Sequence, residues 1–216
     1  MLLLLLAAAL LASSSYAQAI YDMVLKGGHV IDPKNKRNQR LDIAITGTRI
    51  AKIAAHIPSA HARRAVDVSD YFVTPGLIDI HVHFDAQGAS LNLDPDHNAL
   101  RNGVTTAVDA GSSGHKNFER FKRDVIDGSK TRVLAFLNIV GAGMYGTAVE
   151  DNVAEMDAGA AAAMVRKYPK IILGIKTAHF QPATWDAVDR AIQRPNKARP
   201  SSWLTSIQSL DGAIAN

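Results

Sequence analysis

The sequence predicts an α/β chain, a small all-β region followed by parallel strand-then-helix units. Three observations predict it. Between about Tyr21 and Val73, apolar and polar residues alternate between turn residues, the period of half-buried strands. From Leu77 onward, short apolar runs rich in branched residues alternate with amphipathic stretches at helical spacing, which implies βαβ units. The chain also has 216 residues, 47% of them hydrophobic, enough to bury a sizeable core.

Residues 1–19 read as a secretory signal. Leu2 to Ala12 is wholly apolar, and Ser13-Ser14-Ser15-Tyr16-Ala17-Gln18-Ala19 supplies small residues and an Ala-x-Ala site. The segment is short for a bilayer span. It carries no Lys or Arg before the apolar core, a departure that a start codon misplaced within a longer signal also explains. Both readings mean export, with cleavage after Ala19, a periplasmic or secreted mature chain and no stable membrane anchor afterwards. The chain has no cysteine, which excludes disulfides and thiolate ligands, so any metal must use His, carboxylate or modified Lys.

Residues 20–74 form the all-β portion. Tyr21 to Val30 reads as strand, turn and strand around Gly27-Gly28. Asp42 to Ile45 and Arg49 to Ile53 flank Thr46-Gly47-Thr48 as a hairpin, and Ala65 to Val68 and Tyr71 to Val73 add short strands. Residues 75–193 carry four βα units. Pro75-Gly76 makes a turn, and Leu77 to Val82 reads as a buried strand, followed by a helix around Asp94 to Asn102. Val104 to Asp109 is the second strand, with a helix over Lys116 to Ile126. Val133 to Val140 is the third, followed by an alanine-rich helix over Asn152 to Tyr168, which Pro169 ends. Ile171 to Lys176 is the fourth, with a helix over Pro182 to Gln193.

Two places on this frame carry chemistry. His81 and His83 are one residue apart at the end of the first parallel strand, so they point to the same face. Two imidazoles on one face can grip a divalent ion. Taken alone, His-x-His also fits surface or core histidines. Lys176 ends the fourth strand. Burial there disfavours the charged amine, and a neutral amine can add carbon dioxide to give an anionic carbamate able to bridge two metals. Alone, the lysine also fits a side chain that snorkels to solvent.

The run Val73-Thr74-Pro75-Gly76-Leu77-Ile78-Asp79-Ile80-His81-Val82-His83 resembles the first barrel strand of the amidohydrolase superfamily of metal-dependent hydrolases. Tyr21-Asp22-Met23-Val24-Leu25-Lys26-Gly27-Gly28-His29-Val30-Ile31-Asp32 resembles its first sandwich strands. Asp109-Ala110-Gly111-Ser112-Ser113-Gly114, Ala135-Phe136-Leu137-Asn138-Ile139 and Gly174-Ile175-Lys176 resemble the amidohydrolase/deacetylase branch, relatives of dihydroorotases and D-aminoacylases. The resemblance runs from about Ile20 to Ile192. It implies part of a β-sandwich followed by the first four units of a (β/α)8 barrel, with active-site groups at the strands' C-terminal ends. It implies that His81, His83 and Lys176, the last carboxylated, bind one or two zinc ions. Two further histidines from later strands and an aspartate after the eighth would complete the centre. The implied reaction is hydrolysis of an amide, cyclic amide or sometimes ester in a small molecule, by metal-bound hydroxide.

Other residues have plainer readings. Asp109 could act near the site, but an Asp-Ala-Gly turn accounts for it. His179 could touch substrate or be an ordinary loop histidine. His29, His56, His61, His97 and His115 lack metal spacing, and Gly141-Ala142-Gly143 is too short to cradle phosphate. Glu150, Asp151, Glu155 and Asp157 suit a helix start better than an acid/base pair.

Residues 194–216 read as an aberrant tail without a convincing fifth strand, whereas a full barrel takes roughly 250 residues. Truncation and frameshift both explain it. Reading TCN codons at Ser201 and Ser202 one base early gives NTC codons, which encode only Phe, Leu, Ile or Val. The same frame permits Met-Val-Asp-Phe-Asn-Pro through Trp203 to Gln208; chance is the competing reading. The alternative function is therefore an inactive truncated fragment, whose expected catalytic aspartate lies in the missing half. A nucleic-acid module is disfavoured: the net charge is only +4, the basic residues are scattered and aromatics are few.

Overall fold

The computed structural model describes residues 20–85, 93–177 and 179–192, together with the backbone of a short strand at Ser206–Ile207. The leader reading at residues 1–19 and nearly all of the tail lie outside the described residues. The chain divides into two compact units, Met1–Pro75 and Gly76–Asn216.

The first unit is one five-stranded sheet. β1 (Tyr21–Asp32), β2 (Arg37–Thr46), β3 (Arg49–Ala54) and β4 (Ala62–Asp67) lie in the order β3-β2-β1-β4, and β5 (Phe72–Val73) also pairs with β1. Where a strand, turn and strand are expected around Gly27-Gly28, there is a single strand with a bulge. Its register to β2 shifts between Leu25 and Gly28, and Gly27 takes φ +72°, a conformation that costs glycine little. Because an added residue swaps faces, Val24 packs with Ala44 and Ile57 on one side, and Val30 packs with Leu41 and Ile43 on the other. Buried Asp42 clamps the bulge by accepting the Gly27 N–H at 2.8 Å and the Ile57 N–H at 2.8 Å, and it pairs with Lys26. Burial opposes its ionisation, but those hydrogen bonds prevail and hold its carboxyl below the usual value.

The second unit is built on a parallel sheet: β6 (Leu77–Val82), β7 (Val104–Gly114), β8 (Arg132–Asn138), β9 (Ile172–Thr177) and β10 (Ser206–Ile207), in the order β10-β9-β8-β7-β6. Adjacent strands follow chain order with helices between them, the arrangement of an incomplete (β/α)8 barrel. Val133, Ala135, Leu137, Ile172 and Ile175 from the strands pack with Phe118, Phe121, Ala161, Val165 and Ala187 from the intervening segments.

Several elements depart from the sequence reading. The alanine-rich helix is shorter than expected, Ala158–Lys167, because Asp157 caps it by accepting the Ala160 N–H at 2.9 Å. The first helix is only one turn, Pro95–Asn98, and the second passes from an α-turn at Phe118–Phe121 to wider π-type turns at Lys122–Ile126. The fourth starts at Asp186 rather than Pro182. β10 occupies the fifth strand position, where none was expected; two residues carry no readable period. The largest difference is β6, expected to be buried. It lies at the sheet edge, and Ile78 and Ile80 are 66% and 70% exposed. Its apolar run describes a strand that needs cover, and among the described residues nothing covers that side.

Candidate metal centre

The C-terminal ends of the parallel strands collect the chemistry. The register places Val82 beside Asp109, Gly114 beside Asn138 and Asn138 beside Lys176. His81 and His83 come together at the end of β6, their rings edge to face with centroids 5.4 Å apart. Lys176 is linked to this end of the sheet through β7: a Cβ at Gly111 would lie 2.8 Å from Lys176 Cγ, and neighbouring Ser112 bonds His83. β7 thus touches both His83 of the loop after β6 and Lys176 of β9.

Each is held by neighbours. His83 Nδ1 lies 3.1 Å from the hydroxyl of buried Ser112. A bond at one ring nitrogen sets which nitrogen faces outward, as for histidines that ligate metals. Asp109, wholly buried, accepts N–H groups from Phe84 at 2.8 Å, Gly111 at 3.1 Å and Ser112 at 2.7 Å. It closes its own turn and also ties β7 to the residue after His83, so its role reaches beyond the turn.

Lys176 is completely buried, contrary to the snorkelling alternative. Gly111 makes room for it. A Cβ at residue 111 would lie 2.8 Å from Lys176 Cγ and 2.9 Å from its Cβ, and Gly111 takes φ +92°. Only glycine meets both conditions without strain.

The electrostatics favour neutral nitrogen ligands. Burial, then the charges of His81, Lys176 and His179, push His83 down to about 4. Burial and Lys176 lower His81. Burial also lowers Lys176, although Asp109 and Glu150 oppose this. Burial pushes Asp109 up to about 6 against the pull of its three N–H donors.

Two residues of the centre escaped the sequence reading as a pair. Glu150, assigned to a helix start, is wholly buried, and it accepts from His179 Nδ1 at 2.9 Å and from the Gly146 N–H at 3.0 Å. His179 has φ +55°. A glutamate and a histidine 29 positions apart show no local pattern. His29, His56, His61 and His97 sit elsewhere: His29 bonds Asn38 in the first unit, and His97 lies in the first helical turn. Among the described residues, no three His, Asp or Glu groups are placed to share an ion. A divalent ion held here would take imidazole nitrogens and would need a further ligand beside them. The buried amine of Lys176, with burial favouring the neutral form, and two adjacent low-pKa imidazoles fit that donor set.

No protein-family model matches the chain. Among curated proteins, it is 34% identical to a deacetylase of Agrobacterium fabrum over 51% of this chain and 28% of that protein. It is 34% identical to a dihydroorotase of Streptococcus pyogenes over 64% of this chain and 34% of that one. It is 30% identical to a deacetylase of Enterococcus faecalis over 72% of this chain and 41% of that one. The chain thus spans well under half the length of these relatives. Among solved structures, an adenine deaminase matches with TM-score 0.63 and 26% identity over 79% of this chain and 46% of its own. A dihydroorotase matches with TM-score 0.62 and 27% identity over 76% of this chain and 43% of its own.

Proposed function

Because the chain belongs to the amidohydrolase superfamily, we propose that its centre serves metal-dependent hydrolysis of an amide or cyclic amide in a small molecule. His81, His83 and Lys176, the lysine as its carbamate, would hold one or two divalent ions, of which zinc suits the nitrogen donors best. When bound, such an ion polarises a carbonyl and makes water a competent nucleophile near neutral pH. The chain's own residues do the rest. Ser112 orients His83, Asp109 ties the backbone beyond His83 to β7, and Gly111 leaves the space that Lys176 fills. The observation that carries the reading is a fully buried lysine on β9 that packs against Gly111 of β7, next to the Ser112 that bonds His83.

The names of the relatives support amide chemistry and leave the substrate open. Export through the leader at residues 1–19 belongs to the same proposal; loss of those residues in the mass of the mature protein is its expected result. The decisive experiment is metal analysis. The purified chain should retain about one zinc per chain or more, and the His81→Ala/His83→Ala double variant should retain none, since Lys176 alone cannot hold the ion. Unchanged zinc in the double variant would place the site elsewhere.

A second reading, a chain without catalysis of its own, is favoured by one observation. Among the described residues, no three His, Asp or Glu side chains are grouped to hold an ion. Zinc-bound protein without turnover of N-acetyl amino acids or hydantoin would support it.

A further inference from the structure

The Glu150–His179 pair has no part in holding the proposed ion, yet it sits just past the C-terminal end of β9, the strand that carries Lys176. Glu150 has a fully buried side chain, whereas the His179 side chain is 51% exposed. Burying a carboxylate is costly unless its hydrogen bonds are satisfied, and here both oxygens are used, by Gly146 N–H and by His179 Nδ1. The loop leaving β9 is fastened a second time where Asp151 accepts the Gln181 N–H at 2.7 Å. These two ties hold His179 in the left-handed region, at φ +55°, where a non-glycine residue carries strain. His179 stands three residues beyond Lys176, just after the end of β9. A buried acid, a strained backbone and a half-exposed ring together describe a side chain held in place for something outside the protein.

The hydrogen bond sets its polarity. A carboxylate only accepts, so Nδ1 carries the proton, and whenever the ring is neutral Nε2 is the lone pair. We propose that His179 is a substrate-binding residue whose Nε2 accepts the N–H of an amide or cyclic amide, and that Glu150 is the positioning residue that fixes its tautomer. The proposal rests on the amide-hydrolase reading above, and it adds a requirement: the bound amide must carry a hydrogen on nitrogen.

The test uses the zinc-loaded full chain with 15N-labelled histidine, at pH 8. NMR should show His179 protonated at Nδ1 and bare at Nε2. Hydantoin, a cyclic amide with N–H groups, should shift the Nε2 resonance. The same ring without them, 1,3-dimethylhydantoin, should bind about fivefold to tenfold more weakly, the worth of one neutral hydrogen bond. Glu150→Gln should flip the tautomer, because an amide can donate to Nδ1, and should abolish the hydantoin shift. If that variant does not fold, His179→Ala, altered at a half-exposed loop position, should keep its zinc and lose the same fivefold to tenfold preference. An Nε2–H tautomer in the wild-type chain, or equal binding of the two probes, would overturn the inference while bound zinc left the metal reading standing. Absence of zinc would sink both.

Discussion

Residue by residue, the centre is a set of constraints on three side chains, and Gly111 is the most demanding. Any β-carbon there meets Lys176 on the buried side, and the positive φ adds strain of about 1–2 kcal/mol for an L-residue. Gly111→Ala should therefore displace Lys176 while leaving the first unit folded. The expected result is loss of the carbamate signal in 13CO2-labelled protein, together with a lower melting temperature. An alanine variant with an unchanged carbamate would refute the steric argument. His83 and Asp109 make an opposed pair in pH. The folded state lowers His83 from 6.5 to about 4, so its contribution is full above 6.5 and lost as pH falls through 4. The folded state raises Asp109 from 3.8 to about 6, so its contribution is full below 3.8 and lost as pH rises through 6. Between pH 6 and 4 the two slopes oppose each other. In the metal-free chain, His83→Gln should make stability fall less steeply, or rise, as pH falls across that window, because one of the lowered histidines that oppose Asp109 is gone. Urea midpoints at pH 7, 5.5 and 4.5 measure it, and a variant whose stability falls as steeply as that of the unaltered chain would contradict the sign.

At the level of elements, the sequence was legible where chemistry is local and opaque where it depends on a partner. The places of His81 and His83 at the end of β6 and of Lys176 at the end of β9 could be read because strand alternation and strand ends are one-dimensional signals. Glu150 could not, because its meaning comes from His179, which only folding brings near. The bulge in β1 was hidden for a related reason: Gly27-Gly28 reads equally as a turn, and only the swap of Val24 and Val30 between faces reveals the continuous strand. The start of the alanine-rich helix was decided by the Asp157 cap, which a uniform run of helix formers conceals. β6 is the converse case, apolar in sequence yet exposed at Leu77, Ile78 and Ile80. An exposed apolar edge strand invites pairing with another chain. Replacing both Ile78 and Ile80 by Thr keeps β-branching and should change stability by no more than about 0.5 kcal/mol per site, as at other exposed positions. It should also reduce self-association, measured by light scattering against concentration. A large loss of stability would mean that this side of β6 is covered in solution.

For the whole molecule, the decisive property is that the proposed centre lies in only one of two units, each with apolar clusters of its own. His81, His83 and Lys176 all belong to Gly76–Asn216. An ion that binds only the folded form stabilises it by RT ln(1 + [L]/Kd), about 2.7 kcal/mol at a hundredfold excess over Kd. That energy enters the unit whose unfolding destroys the site. Zinc should therefore raise the melting temperature of the parallel-sheet unit, and a chelator should reverse the shift. Structural probes placed in each unit separate the responses: tryptophan emission reports the second, where Trp185 lies ahead of the last helix, since the first unit contains no tryptophan. Phe72→Trp, at an exposed position on β5, adds a reporter to the first. With His81 and His83 replaced by Ala, the zinc-dependent shift should vanish from both. A shift that survives the double replacement would locate metal binding outside this centre, while a shift of equal size at both reporters would show that the units unfold as one.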